Sequence, residues 1–184
     1  MYRASFWTLN RWQHCALGVG VPLLAAWAMA ETAGARLVFG ALFGALLLAL
    51  SVIDARAMIL PNPLNAALAL LGVAAVWQLF PGQWMAHAIG GAAGFGILFI
   101  VEKSFKALRG KDGLGRGDAK LLGAIGVWIG WIGLPSALLI ASACGTACAL
   151  IAMAINRTRD PAIPFGPFLA FGGWLVWLYG PIGL

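Results

Sequence analysis

Charged residues are so rare in this chain that long uncharged stretches dominate it. Between Arg56 and Glu102 lie 45 uncharged residues, and 36 more separate Lys120 from Arg157. Only 12 basic and 6 acidic residues occur among 184, while 62% are hydrophobic. So few polar groups cannot build a water-facing surface, which excludes an ordinary soluble domain, a disordered chain and a disulfide-stapled secreted module. The sequence therefore predicts a polytopic membrane protein.

Prolines and turn residues divide the uncharged stretches into lengths that fit a bilayer. A helix needs about 20 apolar residues to cross the hydrocarbon core, and the dividers are Pro61-Asn62-Pro63, Pro81-Gly82 and Pro135. The sequence predicts an all-α bundle in a single domain, residues 1–184, with about seven spans. These are 15–30, 37–53, 64–80, 84–101, 119–134, 136–155 and 164–182, with a basic cytoplasmic loop at 102–120.

The basic residues are distributed very unevenly between the predicted loops. With a cytoplasmic N-terminus, every Lys and Arg except Arg36 falls on the cytoplasmic side. Because short cytoplasmic loops retain positive charge, this orientation is the predicted one, with membrane lipid around the bundle. The same bias explains the pI near 9.8. Since no basic patch with interleaved stacking aromatics is present, no nucleic-acid partner is predicted. The sequence gives no signal for an oligomeric state.

The first 30 residues fit two interpretations. A basic start and an apolar core that ends in Ala28-Met29-Ala30 resemble a signal peptide as well as a membrane span. Both interpretations leave the later spans in the same orientation.

No cofactor and no metal site are predicted. Cys15, Cys144 and Cys148 lie in apolar segments and form no Cys-x-x-Cys pair, so neither a zinc ribbon nor a thioredoxin-like site is available. His14 and His87 each stand alone, whereas zinc sites need three or four convergent ligands. A hydrogen-bonded structural role is expected for both histidines.

Ionisable groups at membrane depth are costly and indicate function by default, so each acidic residue needs an explanation. Glu102 can pair with Lys106 one helical turn later. Glu31, Asp112 and Asp160 lie in predicted loops, where solvated charges are common. These four acids are ordinary, and two remain.

Asp54 and Asp118 are the two acids that a solvated loop or a nearby basic partner does not readily explain. Asp54 follows directly on the span 37–53, where a carboxylate would face the negative end of the helix dipole. Pairing with Arg56 is one compensation, but residues two apart on a helix do not face each other. Asp118 stands where the charged loop enters the fifth span, and an N-cap is the alternative to a functional role there.

The predicted topology brings both acids to the same cytoplasmic boundary, because span two runs inward and span five runs outward. Like charges about 3 Å apart cannot both ionise, so a carboxylate pair supplies one base and one acid, as in aspartic proteases. Gly115 and Gly117 suit such a site because glycine allows close backbone approach and a positive φ. The residues therefore predict an aspartyl protease.

Three motifs resemble those of the type IV prepilin peptidases, the bacterial branch of the Gly-x-Gly-Asp intramembrane aspartyl proteases. The first is Ile53-Asp54 followed by Leu60-Pro61-Asn62-Pro63-Leu64. The second is Gly115-Arg116-Gly117-Asp118-Ala119-Lys120-Leu121-Leu122. The third is Ile163-Pro164-Phe165-Gly166-Pro167-Phe168-Leu169-Ala170. Together they span residues of about 50 to 172, and their joint occurrence is more specific than any one of them.

The resemblance implies an enzyme that cleaves a short basic leader from prepilins or pseudopilins at the cytoplasmic face of a bacterial inner membrane. It implies that Asp54 and Asp118 are the catalytic pair. Supporting motif residues would be Gly115, Gly117, Lys120, Pro61, Asn62, Pro164, Gly166 and Pro167. Longer members of the family carry two Cys-x-x-Cys pairs associated with zinc and N-methylation. This chain has none, so a peptidase without methyltransferase activity is expected.

Two other functions compete with this interpretation. A signal-peptide-peptidase-like or presenilin-like protease shares Gly-x-Gly-Asp but carries a Pro-Ala-Leu near its C-terminus, which is absent here. A proton-coupled transporter or a membrane scaffold could also hold paired acids, although transporter acids usually lie near the midplane in folds with internal repeats. Acids that lay far apart across the bundle would favour the scaffold.

Overall fold

A computed structural model of the chain describes residues 34–109, 115–156 and 163–183, together with the single residues Leu23 and Ala26. Every regular element in these ranges is an α-helix, which confirms the predicted all-α class. The predicted first span, 15–30, lies outside the described residues apart from those two positions.

The described part of the chain folds into five helices. They are α1 (Ala35–Ala57), α2 (Asn62–Leu79), α3 (Trp84–Arg109), α4 (Arg116–Asn156) and α5 (Gly166–Tyr179). The first four are long and apolar enough to cross a membrane, whereas α5 has only 14 residues. A full crossing takes about 17 residues or more, so α5 is short for a span.

The helices agree with the predicted spans in position but not in number. The predictions for 37–53, 64–80, 84–101 and 164–182 each coincide with one helix, while 119–134 and 136–155 both fall within α4. With four helices long enough to span, the described residues do not confirm the predicted count of about seven. The predicted loop 102–120 is partly helical, because α3 extends to Arg109 and α4 begins at Arg116.

Two of the three predicted dividers separate helices. Met58, in the left-handed conformation with φ 51°, ends α1, and Pro61 precedes the first residue of α2. Pro81-Gly82 separates α2 from α3, with φ 90° at Gly82. Pro135 is wrong as a divider, since it lies inside α4, which instead breaks at Gly130 with φ 68° and ψ 175°. Only glycine adopts that conformation readily, whereas membrane helices tolerate proline.

The helix α4 is the centre of the bundle, since α2, α3 and α5 all pack against it. Trp128 of α4 stacks on Phe43 of α1 with ring centroids 4.4 Å apart, and meets Trp177 of α5 edge to face at 5.3 Å. The Trp128 indole N–H donates to the Leu68 carbonyl of α2 at 2.8 Å. These contacts join four helices in one core.

Large apolar side chains cover the outside of the bundle. Leu70, Trp77 and Leu139 are among many that are more than half exposed. A water-soluble protein rarely exposes contiguous apolar surface on this scale. The hydrocarbon core of a bilayer accommodates such apolar side chains, so the molecule is a multi-pass membrane protein.

Close helix contact between α3 and α4 depends on glycine. The sequence contains Gly-x-x-x-Gly pairs that permit such packing without specifying a partner. A Cβ atom placed on Gly90 would lie 2.3 Å from the Gly126 carbonyl oxygen. The three nearest atoms, from Gly126, Gly130 and Trp131, all belong to the backbone, so they cannot move aside as a flexible side chain would.

We expect Gly90→Ala to destabilise the bundle by about 1 to 3 kcal/mol, because the added methyl group overlaps backbone atoms. The matched control is Gly96→Ala on the same helix, where an added Cβ meets no atom within 4 Å. That variant should leave stability unchanged or raise it slightly, since Ala is the better helix former. Thermal unfolding in detergent micelles measures both, and equal effects of the two substitutions would contradict the packing described.

Candidate active site

Asp54 lies in the last turn of α1 and is only 4% exposed. A carboxylate at this end of a helix faces the negative pole of the helix dipole. The compensation comes from α5: the backbone N–H of Gly166, the first residue of that helix, donates to Asp54 Oδ2 at 3.0 Å. Asp54 therefore lies at the positive end of a second helix, while the alternative partner Arg56 is exposed.

The start of α5 is shaped around the Asp54 carboxylate. A Cβ atom on Gly166 would lie 2.5 Å from Asp54 Oδ2 and 3.0 Å from its Cγ. Any other residue would therefore displace either the carboxylate or the helix. Pro167, in the first turn of α5, has a φ already suited to a helix start and needs no backbone N–H there. The half-buried Pro164 lies just outside this start.

Asp118 is the third residue of α4 and is 8% exposed. Its backbone N–H donates to the Gly115 carbonyl oxygen at 3.0 Å. In return, the Gly115 backbone N–H donates to the Asp118 carboxylate. A first-turn acid that reaches back in this way satisfies free N–H groups at a helix start. Asp118 thus lies in the first turn rather than at the N-cap position expected from the capping alternative.

Asp54 and Asp118 lie at the same end of the helix bundle, since Leu60, six residues after Asp54, lies against Gly117, the neighbour of Asp118. The two buried carboxylates are near enough for the charge on one to act on the other. They come from helix ends separated by about sixty residues of sequence, the last turn of α1 and the first turn of α4. Acids far apart across the bundle, which the scaffold interpretation would favour, are not what the structure contains.

Gly117 allows the second motif to lie against the first. A Cβ on Gly117 would lie 2.9 Å from the Cβ of Leu60, a buried residue just before Pro61. A Cβ on Gly115 would lie 3.2 Å from Asp118 Oδ2. The expected close approach is therefore present at both glycines. The expected positive φ is wrong, since neither is among the positive-φ residues of the described chain.

Lys120 links the same two motifs by a hydrogen bond. Its Nζ donates to Asn62 Oδ1 at 2.7 Å, which ties the first turn of α4 to the first residue of α2. Pro61 is the N-cap of α2 and sets the extended backbone before Asn62. Gly166, Gly117 and Lys120 thus connect the three motifs around the two acids.

Sequence reasoning missed one partner of Glu102. This residue of α3 is 5% exposed, and its Oε1 accepts from Arg116 Nε of α4 at 3.2 Å. The predicted pairing with Lys106 rested on helical spacing alone. A contact between α3 and the start of α4 has no such local signal, because it depends on how the two helices pack.

Metal-ligating residues do not cluster in the described ranges, where no group of three His, Cys, Asp or Glu residues converges. His87 is buried, and its Nδ1 donates to the Val127 carbonyl oxygen at 2.8 Å. Its ring also stacks on Phe80. The expected structural role is confirmed for His87, whereas His14 lies outside the described residues.

By its fold and candidate site, the molecule is a helical membrane protein with two buried aspartates, one at the end of α1 and one at the start of α4. Residues 41–150 of the chain match the sequence pattern of the type IV leader peptidases. The chain belongs to the type IV leader peptidase family.

Three relatives, each named prepilin leader peptidase/N-methyltransferase, illustrate this similarity. The protein of Burkholderia pseudomallei (strain 1026b) is 40% identical over 183 residues, which cover 93% of this chain and 59% of the relative. That of Aeromonas hydrophila is 39% identical over 137 residues, or 73% of this chain and 47% of the relative. That of Escherichia coli (strain K12) is 40% identical over 151 residues, which cover 77% of this chain and 66% of the relative.

The chain thus spans about three fifths of the length of the Burkholderia relative. No solved structure matches the chain significantly.

Proposed function

We propose that the chain is an aspartyl endopeptidase that removes the leader peptide from type IV prepilins or pseudopilins, with Asp54 and Asp118 as its catalytic pair. The observation that carries the proposal is that two buried carboxylates, each held by a backbone N–H, lie at the ends of α1 and α4 on the same side of the bundle. The family and the names of the relatives support the reaction and the substrate class.

The chemistry follows from two carboxylates that share one proton. The ionised member takes a proton from a water molecule as that water attacks the scissile carbonyl carbon. The protonated member stabilises the oxygen on which negative charge develops, and its proton then passes to the leaving amine. Burial favours this shared-proton state, because two neighbouring negative charges are costly in surroundings of low polarity.

The proposed place of cleavage is the cytoplasmic face of a bacterial inner membrane. Both acids lie at helix ends rather than at helix centres, so the reaction would occur at a membrane boundary. The excess of Lys and Arg in the loops on the same side supports a cytoplasmic boundary. A substrate would enter with its leader in the cytoplasm and its hydrophobic segment in the bilayer.

We also propose that these 184 residues carry leader cleavage and not N-methylation. The resemblance associates methylation with two Cys-x-x-Cys pairs, whereas the three cysteines here form none. Analysis of the product of a reaction supplied with a methyl donor tests this point: the new N-terminus should still carry a free amine by mass spectrometry. A methylated N-terminus made by the purified chain would overturn the assignment.

The test of the peptidase proposal is cleavage of a prepilin by the purified chain in lipid vesicles. We expect a product shortened by the leader, whose N-terminus is identified by mass spectrometry. The blank is the double variant Asp54→Asn, Asp118→Asn, prepared in the same way to exclude a contaminating protease. Failure to cleave prepilins and pseudopilins, or equal cleavage by the blank, would overturn the proposed function.

A further inference from the structure

We propose that Asn65 is a substrate-binding residue whose side-chain amide holds the main chain of an extended peptide a few residues from the scissile bond. This inference rests on the proposed function and assigns a subsite to it. The residue lies in α2, away from the acid pair, and belongs to none of the catalytic groups described above.

A cleft of about 440 Å³ lies between α2 and α3. Both helices pack on α4 but scarcely touch each other, so α4 forms the floor of this cleft. Its wall carries Ala66 and Ala69 of α2 and Gly91 of α3, and its floor includes Gly123 and Ala124 of α4. These small residues leave room for a chain rather than filling the space themselves.

Asn65 lines this cleft and is 5% exposed. Neither its Nδ2 nor its Oδ1 has a hydrogen-bond partner among the described residues. Buried side-chain amides almost always have partners, so an amide with none calls for an explanation. A bound ligand supplies one, because an amide presents a donor and an acceptor side by side. A peptide group offers the complementary pair, its C=O and the next N–H.

The cleft begins near the start of α4, the helix whose first turn contains Asp118. Its rim includes Lys120 and Asn62, which are hydrogen-bonded to each other at 2.7 Å. Lys120 follows Asp118 by two residues, which places it about 3 Å further along α4 and on another side of that helix, whose diameter is about 10 Å. An extended peptide advances about 3.3 Å per residue. A substrate whose scissile bond lies at the acids can therefore reach the cleft within a few residues.

The two polar atoms of Asn65 are covered in the unliganded molecule. Contact with a peptide requires the side chain to rotate toward the cleft. The rotation breaks no hydrogen bond, because the amide makes none, so a peptide gains both new bonds without loss of an old one. A lipid acyl chain would also fit small apolar walls, but it offers nothing to a donor and acceptor pair.

The test replaces the amide by an apolar side chain of similar size, Asn65→Leu, and measures kcat, KM and thermal unfolding with a prepilin substrate. We expect KM to rise about five- to tenfold, the worth of one or two hydrogen bonds, with kcat nearly unchanged. Unfolding should occur at the same or a higher temperature, since an unpaired buried amide is removed. The matched control is Gln78→Leu, an exposed amide on the same helix, which should leave KM unchanged.

A purely structural amide, or one beside a lipid chain, predicts unchanged KM in Asn65→Leu, and this result would overturn the inference alone. If that variant does not fold, a second measurement decides. A prepilin with a photo-crosslinking residue a few positions from the scissile bond should attach to α2 near Asn65 and Ala69. Attachment elsewhere would also overturn the inference. Because crosslinking needs no cleavage, it separates failure of this subsite from failure of the proposed reaction.

Discussion

Replacing either Asp54 or Asp118 by Asn should lower kcat/KM for leader cleavage by about a thousandfold or more, while the molecule keeps its fold. General acid and base groups each contribute about 10²- to 10⁴-fold, and members of one catalytic unit cannot substitute for each other. Neither an amide in place of the base nor one in place of the acid can carry the proton. The measurement is the initial rate of prepilin cleavage in lipid vesicles.

The fold should survive because Asn keeps the hydrogen bonds that hold both side chains. The Oδ1 of an Asn at position 54 can still accept from the Gly166 N–H, and one at 118 can accept from the Gly115 N–H. Removal of a buried charge next to another should not lower stability. Thermal unfolding of both variants should therefore match that of the unchanged chain.

The control for these two variants is Glu102→Gln, the same chemical change at a buried acid of α3. Its amide oxygen can still accept from Arg116, so we expect cleavage to fall by less than about fivefold, the effect of a weakened hydrogen bond. Cleavage retained by Asp54→Asn or by Asp118→Asn would remove that residue from the catalytic pair. Loss of cleavage in Glu102→Gln equal to theirs would show that the assay reports something other than the pair.

The helices could be predicted because the thickness of the bilayer sets their length, and because prolines and glycines end helices through local effects on the backbone. Pro61 and Gly82 interrupt apolar runs where no helix can continue at low cost, and helices indeed end beside both. Pro135 could not be interpreted in this way, because a membrane helix tolerates a proline when its neighbours satisfy the freed carbonyl group. The break at Gly130 lies where α4 packs against α3, a contact to which a single sequence gives no access.

Much of the candidate site could also be predicted, for a topological reason. The direction of two spans places their ends on one side of the membrane, so Asp54 and Asp118 are expected at one depth. The structure places both at the same end of the bundle. The contact between Asp54 and Gly166 joins residues 112 apart in sequence. It could not be derived from spacing, although the resemblance to a known motif singles out Gly166.

The unpartnered amide of Asn65 marks the limit of such reasoning. In the sequence, this residue is one polar position near the start of an apolar helix and stands out in no pattern. Its interest arises only from what surrounds it, a cleft between two helices that pack on a third but not on each other. Burial without a hydrogen-bond partner is a property of the folded molecule.

Gly166→Ala is expected to reduce cleavage by about a hundredfold, although position 166 would contribute no reacting group. The added methyl group would lie 2.5 Å from Asp54 Oδ2, so either the carboxylate or the start of α5 must shift. A displacement of about 1 Å at a catalytic group can cost a hundredfold in rate. The loss should appear mainly in kcat, because Gly166 positions Asp54 rather than the substrate.

The matched control for this prediction is Gly145→Ala on α4. A Cβ there would meet Phe168 at 3.4 Å and Phe165 at 3.6 Å, ordinary contacts with the same third motif. Gly145→Ala should therefore cleave at nearly the unchanged rate. If both alanine variants lost activity equally, general disturbance of the motif would explain the effect and the contact with Asp54 would not.

Thermal stability gives a second, independent measurement of the Gly166 contact. In the unchanged chain, Gly166→Ala should cost about 1 to 3 kcal/mol through the forced shift. In an Asp54→Ala background, the Cγ and Oδ2 atoms are gone, and the nearest remaining Asp54 atom, Cβ, is 3.3 Å away. The same substitution should then cost much less. Because residues in contact give non-additive effects, additive losses in this cycle would contradict the close approach between Gly166 and the Asp54 carboxylate.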